Sequence, residues 1–222
     1  MAKEIGVKEK IILTAETEII NSGYENTSLN DIIHRSGVSK GTFYHYFESK
    51  DGLLDQIMRR MSGAMLIPFK KVVNDPSLSA VEKFNAIVSS STKYKIANKK
   101  LFRTATRWLW KDENIKIRHK LLNKNIKYII PELAKIVDQG MKEKSFKVEY
   151  PVEAAESIIH LSMSLGEQMA PYIFNSKPNK KTIQIVLIKM KAYDDTVERI
   201  LGAEKGSLKI YNEEAVMEIF KE

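Results

Sequence analysis

With 222 residues, 43% of them hydrophobic and 29% charged, the chain has the length and composition of one larger domain or two small ones around a real core, which argues against wholesale disorder. The absence of cysteine removes disulfides, zinc–cysteine sites, Fe–S clusters and cysteine nucleophiles; the longest uncharged run, 157–166, is far short of the roughly 18 apolar residues of a membrane span; and Glu4, Glu9, Glu16 and Glu18 leave no apolar stretch for a secretory signal, so no membrane contact and a cytoplasmic location are expected. The net charge of +8 suggests a polyanionic partner, yet the excess is uneven: residues 1–60 carry 8 basic and 9 acidic side chains, whereas residues 93–127 carry 12 and 2.

The predicted elements are helical nearly throughout. A first helix over 3–21 presents Ile12, Ala15 and Ile19 at helical spacing, and Gly23 stands just past its end. Ser28 with Asp31 caps a short second helix that ends at Gly37. Ser39 caps a third that runs through about Tyr46. Ser49 opens a fourth with Leu53, Leu54, Ile57 and Met58 in its apolar stripe, and Pro68, Asn74 and Pro76 mark where it weakens or stops. Ser79 with Glu82 is a capping box for a helix over 81–97. Helices over 99–111 and 114–144 follow, and Pro131 inside the second should kink it. Pro151 suits the first position of the helix Pro151–Phe174, and Gly202 ends the helix Lys180–Leu201. The tail 207–222 adds a short helix.

Residues 28–54 read as one unit. A short helix with Leu29, Ile32 and Ile33 leads into Ser36-Gly37-Val38-Ser39, then a second helix with Phe43 and Phe47 four apart. Gly37 permits the positive φ of a tight turn, and Val38 plugs the space between the helices. This is the spacing of a helix-turn-helix, whose second helix enters the DNA major groove by its N-terminal end. Ser39, Lys40, Gly41 and Thr42 are small or polar there and allow close approach to base edges, with Tyr44 and His45 beside them as phosphate donors. Phe43, Tyr46 and Phe47 are expected in the core.

On Gly23-Tyr24, Thr27-Ser28, Ile32, Gly37-Val38-Ser39-Lys40-Gly41-Thr42, Tyr44, Tyr46-Phe47, Ser49-Lys50 and Leu53-Leu54, the sequence resembles the TetR/AcrR family of transcriptional regulators. The resemblance implies an all-α protein of about nine or ten helices. It divides the chain into a three-helix DNA-binding domain at 1–48 and a helical effector-binding and dimerisation domain at 49–222. It assigns base contacts to Lys40, Gly41 and Thr42, with Asn30 as an extra reader, and phosphate contacts to Ser28, Tyr44, His45 and Lys50, with Ser39 at the entry. Lys40 suits guanine O6 and N7, and the Thr42 methyl suits a thymine methyl. Lys50 opens the fourth helix, whose amides and dipole favour an anion. The net charge of −1 over 1–60 is awkward for a DNA binder; hydroxyls and helix N-termini can still hold phosphate, and the salt dependence of binding should then be shallow.

The same resemblance makes Pro151–Phe174 and Lys180–Leu201 the dimer-forming pair, with Ala155, Ser162, Gly166, Ile183, Leu187 and Met190 at the two-fold. Such a homodimer calls for a near-palindromic double-stranded operator. A small-molecule effector is expected among Phe84, Tyr94, Phe102, Trp108, Trp110, Tyr128, Met163 and Glu167, although such stripes are commonly core. His160 and Glu167 offer a polar anchor, or satisfy each other or the partner subunit. The basic stretch, which includes Lys99, Lys100, Arg103, Arg107, Lys111, Lys116 and Arg118, reads first as solvated surface, otherwise as a site for an anionic effector or as attraction to DNA. The effector would move the helix at 99–111, expected to abut the fourth helix, and so respace the two heads. No enzyme motif, metal-ligand set or cofactor signature is present, so no enzyme, metal or cofactor is expected. The reading is a repressor released by its effector, the alternative an architectural DNA binder that acts through protein partners.

Overall fold

The computed structural model describes residues 6–174, 179–210 and 212–220. Among these residues the chain is all helical: α1 (Val7–Ser22), α2 (Leu29–Ser36), α3 (Lys40–Tyr46), α4 (Lys50–Val73), α5 (Ala80–Ala97), α6 (Lys99–Leu109), a 3-10 turn (Asp112–Asn114), α7 (Ile115–Lys142), α8 (Pro151–Phe174), α9 (Lys180–Leu201) and α10 (Glu213–Phe220). Residues 3–5 of the predicted first helix lie outside the described residues.

Local capping chemistry sets most boundaries. Ser28 and Asp31, and Ser79 and Glu82, each form a reciprocal capping box. Ser39 accepts from the Thr42 amide and Ser49 from the Gly52 amide. Gly37 and Gly202 end α2 and α9 in the left-handed region, at φ 62° and 58°. At Gly202 a side chain would also meet the Lys147 carbonyl oxygen at 2.9 Å, because the strand of chain after α7 packs there and the Lys147 amide donates to Leu201 O at 2.8 Å. α4 runs through Pro68 to Val73 and stops at Asn74, one of the positions expected to end it. The stretch 110–114 leaves the helix as a turn, since Trp110 caps α6 and the Asn114 side chain donates to Trp108 O at 2.7 Å.

The apolar side chains form separate clusters. One joins Ile11, Ala15, Ile19, Tyr24, Ile32, Phe43, Phe47, Leu53, Leu54 and Ile57 to Ala105, Trp108 and Leu109 of α6. A second gathers Phe84, Leu133, Ile136, Val137, Phe146, Ala155, Ile158, Val197, Leu201 and Leu208 from α5, α7, α8, α9 and the segment after it. A third, around Met169, Val186 and Val216, seats α10 on α8 and α9. α6 packs on α1 and α8, and its Ala105, Trp108 and Leu109 share one apolar cluster with Leu53, Leu54 and Ile57 of the fourth helix, which it is expected to abut.

No helix among the described residues is long and apolar enough to cross a membrane.

Candidate nucleic-acid interface

α3 is held from beneath by Phe43, fully buried, and Phe47, 3% exposed, which pack at a centroid distance of 5.5 Å. Spacing four places both on one helical face, and α3 therefore turns its other face outward. Ser39, Lys40, Gly41, Tyr44 and His45 are all exposed on that side, and Thr42 is half-exposed. Asn30, near the start of α2, is exposed too. The residues assigned to base reading thus stand exposed or half-exposed near the start of α2 and in the first turn of α3.

Individual hydrogen bonds refine the roles. Ser39 Oγ lies 3.0 Å from the Thr42 amide, which donates to it, and 2.8 Å from Thr42 Oγ1. The two hydroxyls thus order each other and leave the Thr42 methyl as its distinctive surface. Gly41 has no side chain to hold the backbone off a base edge; a Cβ there would meet nothing closer than Ser39 Oγ at 3.8 Å, so the position is open. Ser28 is committed elsewhere. Its hydroxyl donates to Asp31 at 2.5 Å and accepts from the Asp31 amide at 3.0 Å, which makes it a helix cap beside a carboxylate rather than a free phosphate donor. That pairing holds the Asp31 carboxyl below its ordinary value, chiefly through the Ser28 hydroxyl and amide.

Tyr46 departs from its expected place in the core. It is 39% exposed, its ring edge-on to His45 at 4.8 Å, because α3 is only seven residues long and its buried face is filled by Phe43 and Phe47. Tyr44 is 46% exposed.

Lys50 sits at the first position of α4, half-buried, its ammonium 4.1 Å from the Tyr24 ring centroid. Burial pulls its proton affinity below the ordinary lysine value, against the opposing pull of Glu25 and Asp51.

Ion pairs within residues 1–60 leave the head's net charge of −1 unchanged, and only Glu25, which draws Lys111 from outside that stretch, offsets it. Glu18 pairs with Arg35 at 3.0 Å, Glu9 and Glu16 with Arg60 at 2.5 and 3.7 Å, and Glu25 with Lys111 at 2.6 Å. Lys40 makes no ion pair among the described residues, so its charge is left for the surface.

The residues expected around an effector are not gathered at one cavity. Phe84 is buried in the second cluster and Trp108 in the first, where it abuts Tyr24. Tyr94, Phe102, Trp110 and Met163 are half-buried, and Tyr128 and Glu167 are exposed. Two open clefts, one at Lys8, Ile12 and Arg60, the other at Ile96, Asn212 and Met217, are lined by none of the eight. Glu167 is not paired with His160, which stands 3.7 Å from Glu156.

Among the dimer residues, Ala155 is corrected: it is fully buried within its own chain and offers a partner nothing. Ile183, Leu187 and Met190 pack against the third cluster while staying partly exposed, and Ser162 is exposed. Gly166 faces Trp110, 3.9 Å from where its Cβ would stand. Leu161 and Ile188, apolar residues off the main stripes of α8 and α9, are 37% and 62% exposed.

The basic stretch is not one solvated face. Arg118 is buried, its guanidinium 4.6 Å from the Trp110 ring centroid and donating to Leu109 O at 3.2 Å. Lys99 reaches Glu218 at 3.5 Å, and Lys111 reaches Glu25. Among the described residues no cluster of three histidines or carboxylates could hold a metal ion.

The family of bacterial regulatory proteins of the tetR type matches residues 11–57, and the tetracyclin repressor-like C-terminal domain matches residues 101–177. The chain is 49% identical over 43 residues to an HTH-type transcriptional regulator in the lacX 3' region of Lactococcus lactis subsp. lactis, which covers 19% of this chain and about a fifth (22%) of that one. It is 24% identical over 157 residues to the HTH-type transcriptional repressor KstR2 of Rhodococcus jostii, covering 68% of this chain and 72% of the other. It is 22% identical over 167 residues to the fatty acid metabolism regulator protein of Bacillus subtilis, covering 75% and 84%. The fold is shared with reduced E. coli NemR, at TM-score 0.59, 15% identity and coverage of 90% and 100%, and with a transcriptional regulator from Cytophaga hutchinsonii, at TM-score 0.60, 19% identity and coverage of 86% and 93%. The protein belongs to the TetR/AcrR family of transcriptional regulators, a family without enzymatic activity, and its N-terminal unit is a DNA-binding helix-turn-helix.

Proposed function

We propose that the protein is a dimeric repressor that binds a near-palindromic operator in the cytoplasm and leaves it when a small molecule binds the body. Residues 1–48 act as the DNA-binding unit and residues 49–222 as the effector and dimer unit. The observation that carries this reading is the single exposed end of α3, where Ser39, Lys40, Gly41, Tyr44 and His45 stand outward over the buried Phe43 and Phe47. Lys40, Gly41 and Thr42 read base edges, with Asn30 beside them; Tyr44, His45 and Lys50 hold phosphates. The partner subunit docks along α8 and α9, around Ser162, Leu161 and Ile188, which stay open to solvent in one chain. Two recognition helices then meet successive turns of one DNA face.

The effector acts through α6. Its Ala105, Trp108 and Leu109 lie in the same apolar cluster as the head, so a displacement of α6 is felt there directly. A ligand shifts DNA affinity only by preferring one of the two head arrangements. The test is selection of genomic fragments by the purified protein at near-physiological salt. A short near-palindrome at one or a few promoters is the expected result. A motif without two-fold symmetry, or one scattered over many sites away from promoters, would overturn the dimeric local repressor.

A further inference from the structure

The joint between the head and α6 holds a group of side chains that the DNA-reading face does not use. Tyr24, in the turn between α1 and α2, is buried. Its hydroxyl donates to Asp51 in the first turn of α4. Its ring carries the Lys50 ammonium at 4.1 Å and meets Trp108 of α6 at a centroid distance of 5.0 Å and an interplanar angle of 60°. Glu25, the next residue, is tied at 2.6 Å to Lys111, just beyond α6. One aromatic ring therefore touches α6 on one side and, on the other, the residue assigned to the phosphate backbone.

A lysine is a point charge on a flexible four-carbon stem, so where its ammonium rests depends on what holds it. The face of an aromatic ring attracts a cation through its quadrupole, and the attraction weakens as the cation slides off that face. At Tyr24 the hydroxyl bond to Asp51 and the edge contact with Trp108 fix the ring's tilt. A shift of α6 that moves Trp108 must therefore move or release the ring under Lys50.

We propose that Tyr24 is a positioning residue for DNA binding: its ring sets where the Lys50 ammonium meets the phosphate backbone, and its contact with Trp108 makes that setting depend on the place of α6. The proposal rests on the phosphate role assigned to Lys50 above. It adds a second route for regulation, because α6 then alters a backbone contact within each head as well as the spacing between heads.

The test uses the full-length protein and a random-sequence DNA duplex, with binding followed by fluorescence anisotropy over a range of KCl. Tyr24→Phe is the reference, and phenylalanines of increasing fluorination at position 24 keep the ring's shape while draining its negative face. Affinity should fall stepwise along that series, by about 3- to 10-fold in all. The same series in the Lys50→Met background should be flat, and Lys50→Met alone should lower the log–log salt slope by about 0.9. Trp108→Phe should weaken binding with Lys50 present and have no effect in the Lys50→Met background. A flat series with Lys50 intact, or the same decline without it, overturns the role of Tyr24. An equal loss from Trp108→Phe in both backgrounds overturns the link to α6. A Lys50→Met variant that keeps the affinity and salt slope of the unmodified protein removes the phosphate assignment, and the proposal with it.

Discussion

The head and the body secure their polar groups by different means. The bonds that shape the DNA-facing end are local: Thr27 to Gly23, Ser28 to Asp31, Ser39 to Thr42 and Ser49 to Gly52 span three or four residues each. In the body, Glu143 accepts from the Ala80 amide, Lys83 donates to Gln139, Gln139 donates to Leu78 O, and Asn85 bonds both Ser207 and Lys209. Those partners lie 56 to 124 residues apart. A head whose α3 edge is shaped by short-range caps keeps the geometry of that edge, while its joint with α6 at Tyr24, Trp108, Glu25 and Lys111 is where the body reaches it. A body built on distant pairings can change its arrangement by losing a few contacts, which suits a unit that must respond to a ligand.

The largest effect is expected at Phe43, where the head's local caps depend on one apolar anchor. Phe43→Ala should destabilise the protein by about 3–5 kcal/mol and abolish DNA binding, read by thermal unfolding and anisotropy. A cost under about 1 kcal/mol would mean the caps alone hold α3. In the body, Gly140→Ala would drive a methyl group into the Phe146 ring, which is 2% exposed and sits where the chain folds back after α7. A loss of about 1–3 kcal/mol is expected, with unchanged DNA affinity of the folded protein. A loss of DNA affinity in step with stability would show that head and body are less separable than their bonding suggests.

A smaller effect should appear at Asp194 on α9. Burial first, then the neighbouring Glu198 and Asp195, raise its proton affinity above the ordinary carboxylate value, against a hydrogen bond from the Ile210 amide. Its Oδ1 is buried without a partner among the described residues. A carboxyl whose folded pKa is raised costs stability above that value and ceases to cost it as the pH falls below the unfolded value. Asp194→Asn should therefore raise Tm at pH 7 by at most about 2 °C, and the gain should vanish as the pH falls through the carboxylate range. A gain that persists at low pH would point to packing instead of charge.

The same contrast explains what the sequence disclosed. Ser28, Gly37, Ser39, Ser49, Ser79 with Glu82, Pro151 and Gly202 marked helix ends correctly, because a cap or a left-handed glycine acts within four residues of itself. The exposed end of α3 was readable for that reason. The fates of Trp108, Arg118 and Lys111 were not. Trp108 takes its place from Tyr24, and Lys111 from Glu25, 86 residues away, so no local pattern marks them as parts of the joint with the head. Tyr46 was assigned inward from its aromatic character, yet a seven-residue helix has room for only two large anchors on its buried side. Ala155 follows the family resemblance to a subunit contact, whereas packing with distant helices buries it in the chain's own core.

The central claim is that the exposed end of α3 reads bases, with Lys40 as its charged reader. The most direct measurement compares Lys40→Ala with the unmodified protein on the best operator and on random-sequence DNA at one salt concentration. A cost of about 1–3 kcal/mol on the operator, with little change on random DNA, is the predicted result. A loss by the same factor on both would make Lys40 a backbone contact and contradict the assignment of the reading face.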